Sequence, residues 1–155
     1  MDILTTKLKS IKRNLQPGKI WKKVFRKTYI QRFVIEKLIQ DNQLQKSLTG
    51  LNQPIRDLQT GSTTYSLMTE IMSGGKKKAG DPYNLYDTGE FYKSMVFLLG
   101  NNFFEIDADP IKDNDNLFTK YGEQIIWLSE DSKEKLRLRL RIEYETELRK
   151  VFYND

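Results

Sequence analysis

The sequence predicts an α+β fold in which a long N-terminal basic helix and a C-terminal helix pack on a small antiparallel sheet, with a long irregular loop between them. Apolar residues from Ile20 to Asp41 recur at the 3.6-residue period of an amphipathic helix. Two apolar runs flank a Gly/Asn turn near residue 100, which is typical of a β-hairpin. A chain of 155 residues is long enough to bury one core.

The first 16 residues predict an amphipathic helical arm, followed by a single α+β domain over residues 17–155. An apolar stripe steps by three and four residues, and Pro17-Gly18 ends the helix. The arm either lies on its own domain or packs on a neighbouring subunit, and we assign its apolar side chains to the subunit contact. They are Leu4, Leu8, Ile11 and Leu15, with Met1 before them.

The predicted helix over residues 20–41 has an aromatic and aliphatic stripe that includes Trp21, for which we expect core packing. Residues 1–40 carry eleven Lys or Arg and two acidic residues, a net charge of +9, which leaves −4 for the other 115 residues. Such asymmetry is typical of a segment that meets an acidic partner or DNA phosphates, although a basic face can also be merely solvated. The candidate contact residues on this helix are Lys22, Lys23, Arg26 and Lys27.

Residues 43–80 are irregular in pattern, and a loop this long inside one domain is usually functional or ordered by a partner. Within it, residues 65–72 predict a short helix. Glycines then surround Lys76, Lys77 and Lys78, which indicates a flexible tip that touches an acidic surface or DNA phosphates, or a solvated loop. The Gly-Lys-Ser/Thr ending of a phosphate-binding loop is absent, so nucleotide binding is not expected.

Asp87-Thr88-Gly89 predicts a sharp turn, with Gly89 in a conformation that side chains disfavour. A helical turn through Phe91 and Ser94 then leads into the hairpin, whose strands we expect at residues 95–99 and 103–108. On the second strand, carboxylates alternate with apolar residues and predict a solvent face. A short helix ending at Gly122 should follow, capped by Asn114 or Asp115.

Residues 136–145 alternate in polarity like a strand, yet Leu136, Leu140, Tyr144 and Leu148 step by four. Ser129 is also a good helix cap, and the segment is rich in helix formers, so we predict a helix. Leu138 and Ile142 would then form a second apolar stripe, which we assign to a neighbouring subunit.

The turn motif Asp87, Thr88, Gly89, Phe91 and Ser94, followed by Met95, resembles the signature of tailed-phage neck proteins of the tail-completion or head–tail connector family. Residues 43–136 are also similar to uncharacterised proteins of Bacteroidetes phages and prophages. The shared pieces are Tyr65-Ser66-x-x-Thr69, Asp87-Thr88-Gly89-x-Phe91-Tyr92, Lys120-Tyr121-Gly122 and Trp127-Leu128-Ser129.

This resemblance implies a non-enzymatic virion protein, made in the host cytoplasm and located in the neck. Its partners would be other copies in a ring, portal, adaptor or tail proteins, and packaged DNA phosphates. The helical basic N-terminus departs from the usual family pattern.

Two other classes remain as alternatives. A basic nucleic-acid-binding protein would use the N-terminal lysines and arginines. An enzyme would need a metal at Asp107, Asp109, Asp113 and Asp115. The chain has no cysteine and no histidine, which removes the usual nucleophile, zinc ligands and general base, so we expect no catalysis, no cofactor and no metal. Without a long apolar run, we expect no membrane contact.

Overall fold

The computed structural model of the protein describes residues 3–101 and 103–153, and it confirms the α+β class. The α-helices in chain order are α1 (Ile3–Asn14), α2 (Pro17–Phe25), α3 (Thr28–Arg32), α4 (Leu67–Met72), α5 (Glu90–Ser94), α6 (Leu117–Tyr121) and α7 (Glu130–Tyr153). A π-helical stretch, Phe33–Asp41, continues α3, and 3₁₀ turns occupy Leu44–Lys46 and Glu123–Ile126. The strands are β1 (Val96–Leu99), β2 (Phe104–Asp107), β3 (Ile111–Lys112) and β4 (Asp115–Asn116).

The prediction of one long basic helix is wrong, because the chain breaks between α2 and α3. Lys27 is extended, with φ −67° and ψ 117°. The side-chain amide of Gln31 donates to the carbonyl of Phe25 at 2.8 Å and satisfies an acceptor that the break exposes. Beyond the break, Ile30 is fully buried. Trp21, expected in the core, is instead 36% exposed, and its ring centroid lies 4.6 Å from that of Tyr144.

α7 confirms the helical interpretation of residues 136–145, and its 24 residues make it about 36 Å long. Ser129 caps it as expected, since its hydroxyl accepts from the backbone N–H of Ser132 at 3.2 Å. Leu136 and Leu140 are buried on the inner face. α1, α2 and the π-helical stretch all contact this helix, so α7 is the element around which the N-terminal third folds.

The sheet consists of two separate antiparallel hairpins. β1 and β2 pair as expected, from Val96 opposite Asp107 to Leu99 opposite Phe104. Their inward rings stack against α2: the centroid of Phe97 lies 4.9 Å from that of Phe104, and Phe25 lies 5.4 Å from Phe104. This aromatic contact fixes the first hairpin on the basic segment.

The second hairpin, β3–β4, was not expected. Its turn residues, Asp113 and Asn114, have φ values of 48° and 67°, which suits a tight hairpin turn. Because these residues are used in the turn, the cap of α6 is Asn116, whose side-chain oxygen accepts from the N–H groups of Phe118 and Thr119. The predicted cap at Asn114 or Asp115 is therefore wrong by one or two residues, while Gly122 ends α6 as expected.

The long loop is anchored by Gln43, whose side chain is buried. Its amide nitrogen donates to the carbonyl of Trp127 at 2.7 Å, and its oxygen accepts from the N–H of Ser129 at 2.9 Å. Gly50 lies against the same segment, and its N–H donates to the carbonyl of Gln124. A β-carbon on Gly50 would lie 2.6 Å from the carbonyl carbon of Trp127. The start of the loop is thus fixed against the chain that leads into α7.

No helix in the described ranges is long and apolar enough to span a bilayer.

Candidate assembly surface

Gly89 has a φ of 81° and stands at the N-terminal end of α5, which confirms its predicted conformation. The hydroxyl of Thr88 accepts weakly from the N–H of Glu90 at 3.4 Å. A side chain at Gly89 would meet the ring of Tyr86 at 3.3 Å in addition to the backbone strain. This turn therefore requires glycine at position 89.

The other turn-motif residues bond within the chain. Asp87 forms an ion pair with Lys112 on β3, and this bond lowers the pKa of the carboxyl. The hydroxyl of Ser94 donates to the carbonyl of Phe91 at 2.8 Å and accepts from the N–H of Asp109 at 3.0 Å. Phe91 is buried. The motif thus bonds to the ends of both hairpins and links them to the chain that follows the long loop.

Among the basic candidates, Lys27 is engaged inside the chain. Its amine lies 3.0 Å from the Glu143 carboxylate and 2.8 Å from that of Glu147, both on α7. Burial alone would lower the pKa of Lys27, but the bonds to these carboxylates raise it above its ordinary value. Glu143 also accepts from the hydroxyl of Tyr29, and its pKa is lowered by that bond and by Lys27 despite the opposing effect of burial. Lys27 is therefore an internal cation of the fold.

The other basic candidates, which lie on α2 or directly after it, are less engaged within the chain than Lys27. Lys22 donates to the side-chain oxygen of Asn101 at 3.1 Å, whereas Lys23 and Arg26 are exposed. Neither of these two forms an ion pair with any residue in the ranges that the structure describes.

The lysine tip of the long loop folds back on α4. The N–H of Ala79 donates to the Glu70 carboxylate at 2.8 Å. Lys76 and Lys78 are exposed, while the Lys77 amine lies 5.2 Å above the ring of Tyr65. Burial and the nearby amine of Lys112 lower the pKa of Lys77. The tip therefore presents two exposed lysines next to α4.

α4 itself carries the most exposed apolar side chains of the long loop. Ser66 caps it, its hydroxyl accepting from the N–H of Thr69 at 3.2 Å. Every residue of α4 is exposed or half-buried. The exposed apolar side chains are Leu67, Met68, Ile71 and Met72. The sequence predicted this helix but not the exposure of its apolar side chains. The lack of a second apolar segment close to residues 67–72 in the sequence could have indicated that exposure. We call residues 66–80 the finger.

The structure exposes some of the side chains that the sequence assigns to subunit contacts. Leu138 and Ile142 are 58% and 60% exposed and form an apolar stripe on the outer side of α7. On α1, Leu8 is exposed and Ile11 is partly buried, and Leu15, directly after the helix, is exposed. The side chain of Leu4, and Met1 altogether, lie outside the described residues. α1 lies against α7 of the same chain.

A groove of about 800 Å³ lies between the start of the long loop, β2 and the segment before α7. Its walls include apolar side chains such as Phe104, Ile106 and Trp127. Its acidic residues are Glu105, Asp107, Glu123 and Glu130. Glu130 pairs with Lys133 at 2.6 Å, whereas the other three carboxylates form no ion pair within the described ranges. We call this feature the acidic groove.

The carboxylates proposed for a metal are not brought together. In the described part of the chain, no group of three or more acidic side chains is close enough to hold a metal ion. Asp109 instead caps the turn before β3 through the N–H of Ile111, and Asp115 pairs with Lys120. These carboxylates therefore bond within the chain at separate positions.

Comparisons with protein-family models, with curated proteins and with solved structures gave no match.

Proposed function

We propose that this chain is a structural protein of a tailed-phage virion, which forms a ring in the neck between portal or adaptor and tail. It is made in the host cytoplasm, has no catalytic activity, and contacts copies of itself, neighbouring neck proteins and packaged DNA phosphates. The turn motif and its accompanying short motifs support this proposal through their resemblance to neck proteins.

The observation that carries the proposal is the placement of exposed apolar side chains on two separate, well-formed elements. One group lies on α4 and the other on the outer stripe of α7. Apolar patches of this kind on ordered elements mark contact sites, because a monomer gains nothing by exposing them. A protein that contacts a neighbour on two different surfaces can build a closed ring.

The mass of the assembled protein tests this function. Sedimentation velocity over a concentration series should show a species several times heavier than the 18.3 kDa chain, and negative-stain images should show rings. The double variant Leu138→Ser with Ile142→Ser removes the exposed apolar stripe of α7 and should weaken assembly. Its helix content, measured by circular dichroism, should stay the same. A wild-type protein that stays monomeric at every concentration contradicts the proposal.

The exposure of Lys23 and Arg26 favours one second candidate, a basic nucleic-acid-binding protein. This candidate requires the monomer to bind duplex DNA with an affinity that falls steeply with salt. Replacing both residues by Ala should then weaken binding and reduce the salt slope. DNA affinity that is unchanged by the double substitution contradicts it.

A further inference from the structure

The finger combines three features that are unusual for a loop in a solvated position. It has a capped helix, four exposed apolar side chains and two exposed lysines beside them. Its only carboxylate, Glu70, is occupied by the N–H of Ala79. The exposed end of the finger is therefore apolar and positively charged.

The acidic groove has the complementary character. Apolar rings and aliphatic side chains line it, and Glu105, Asp107 and Glu123 have no cation partner in the described ranges. Its lining residues fall within residues 50–52, 104–107, 118 and 123–133, all of which lie outside the finger. A single copy thus carries both a basic apolar projection and an acidic apolar recess, at different places on its surface.

We propose that the finger of one copy docks into the acidic groove of the next copy. This inference rests on the proposed function, because it names the contact through which the ring forms. The apolar side chains of α4 enter between the groove's apolar walls, and Lys76 and Lys78 face its carboxylates. Charge complementarity across such a contact fixes its register and excludes groove-to-groove pairing, where like charges would meet.

The two surfaces differ, so the contact is head-to-tail. A head-to-tail contact repeats from copy to copy and closes into a ring when the rotation between copies permits. A two-fold dimer made by finger-to-finger contact would instead bring lysines against lysines. The same chemistry predicts that salt weakens assembly but does not abolish it, since the apolar part of the contact is not screened.

Charge reversal on each surface tests the contact. The finger variant carries Lys76→Glu with Lys78→Glu, and the groove variant carries Glu105→Lys with Glu123→Lys. All four side chains are exposed, so the fold should be retained, as circular dichroism would verify. Each variant alone should need at least about tenfold more protein to assemble than the wild type, because opposite charges become like charges.

An equal mixture of the two variants should assemble again, since every finger then meets a groove of opposite charge. The chain carrying all four substitutions should also assemble by itself. Lys93→Glu with Arg149→Glu provides the matched control. Both side chains are exposed and lie outside the finger and the groove lining, and the change in net charge equals that of the finger variant, so this protein should assemble like the wild type.

A cysteine cross-link supplies an independent measurement, because the natural chain has no cysteine. Met72→Cys on the finger with Leu51→Cys at the groove should give a ladder of disulfide-linked oligomers on oxidation, and neither single variant should. Rings that form at wild-type concentration from both reversal variants, or a cysteine pair that yields no ladder, would overturn the docking and leave the proposed ring in place. A wild-type chain that never assembles would remove the proposed function itself.

Discussion

Lys27→Met should destabilise the fold strongly, because this one amine neutralises two carboxylates of α7. Its distances to the Glu143 and Glu147 oxygens are 3.0 and 2.8 Å, and its side chain is 19% exposed. Removing one partner of a buried ion pair costs about 3–5 kcal/mol. Glu143 and Glu147 retain Arg139 and Lys150 as second partners, which places the expected loss near the lower end, about 3 kcal/mol.

The dependence of this loss on pH follows from the direction of each pKa shift. The folded pKa values of Glu143 and Glu147 lie below their ordinary value of 4.5, so their contribution is present above that pH and is lost as pH falls through the folded values. The folded pKa of Lys27 lies above 10.5, so its contribution is present below that pH and is lost only in stronger alkali. The difference in the free energy of unfolding between wild type and variant should therefore be largest around neutral pH and narrow on acidification.

Urea unfolding at neutral and acidic pH, followed by circular dichroism, measures both effects. Lys37→Met is the matched control, since Lys37 pairs with Asp41 at 2.8 Å in an exposed i,i+4 arrangement and should contribute little. If Lys27→Met costs no more than Lys37→Met, the idea that the ion cluster stabilises the packing of α2 and α3 on α7 is refuted.

Three further perturbations have definite expected outcomes. Gly50→Ala should lower stability by about 1–3 kcal/mol, because the added carbon would overlap the backbone of Trp127, whereas Gly18→Ala, with open space around it, should be neutral in thermal denaturation. Gly89→Val should cost on the order of 1–3 kcal/mol in the same assay from its φ of 81°, and full stability of this variant would contradict the turn's proposed dependence on glycine. Deleting residues 1–16 should leave a folded domain by circular dichroism but abolish ring assembly in sedimentation, and an unchanged assembly state would refute a subunit role for the arm.

Features that depend on neighbouring residues in the chain could be predicted from the sequence. The helical state of residues 136–145 followed from the Ser129 cap and the four-residue spacing of Leu136 and Leu140, even though polarity alternates locally like a strand. The φ of Gly89 followed from the turn chemistry of the residues before it. In each case a short-range bond or a backbone preference decides the conformation.

Features that depend on distant partners could not be predicted. At the break, the amine of Lys27 bonds to carboxylates more than a hundred residues away, and the local pattern of residues 20–41 gives no sign of them. The tie between Asp87 and Lys112 is likewise long-range. The acidic groove could not be predicted either, because the loop at Gly50 and strand β2 are far apart in the sequence and meet only in the folded chain.

The turn motif acquires a geometric role once finger and groove are the contacting surfaces. Asp87 bonds to β3, and Ser94 bonds to Asp109 directly after β2, the strand that lines the groove. Burial and the charge of Lys112 lower the pKa of Lys77 on the finger, and the charge of Asp87 opposes this shift. These bonds tie the segment that follows the finger to the strand that lines the groove, and so constrain the direction of the finger relative to the groove of the same copy. In a head-to-tail assembly that direction sets the rotation from one copy to the next, and hence whether the chain of copies closes. On the proposed contact, the residues that most resemble the neck-protein signature would therefore contribute to the curvature of the ring through bonds within the chain.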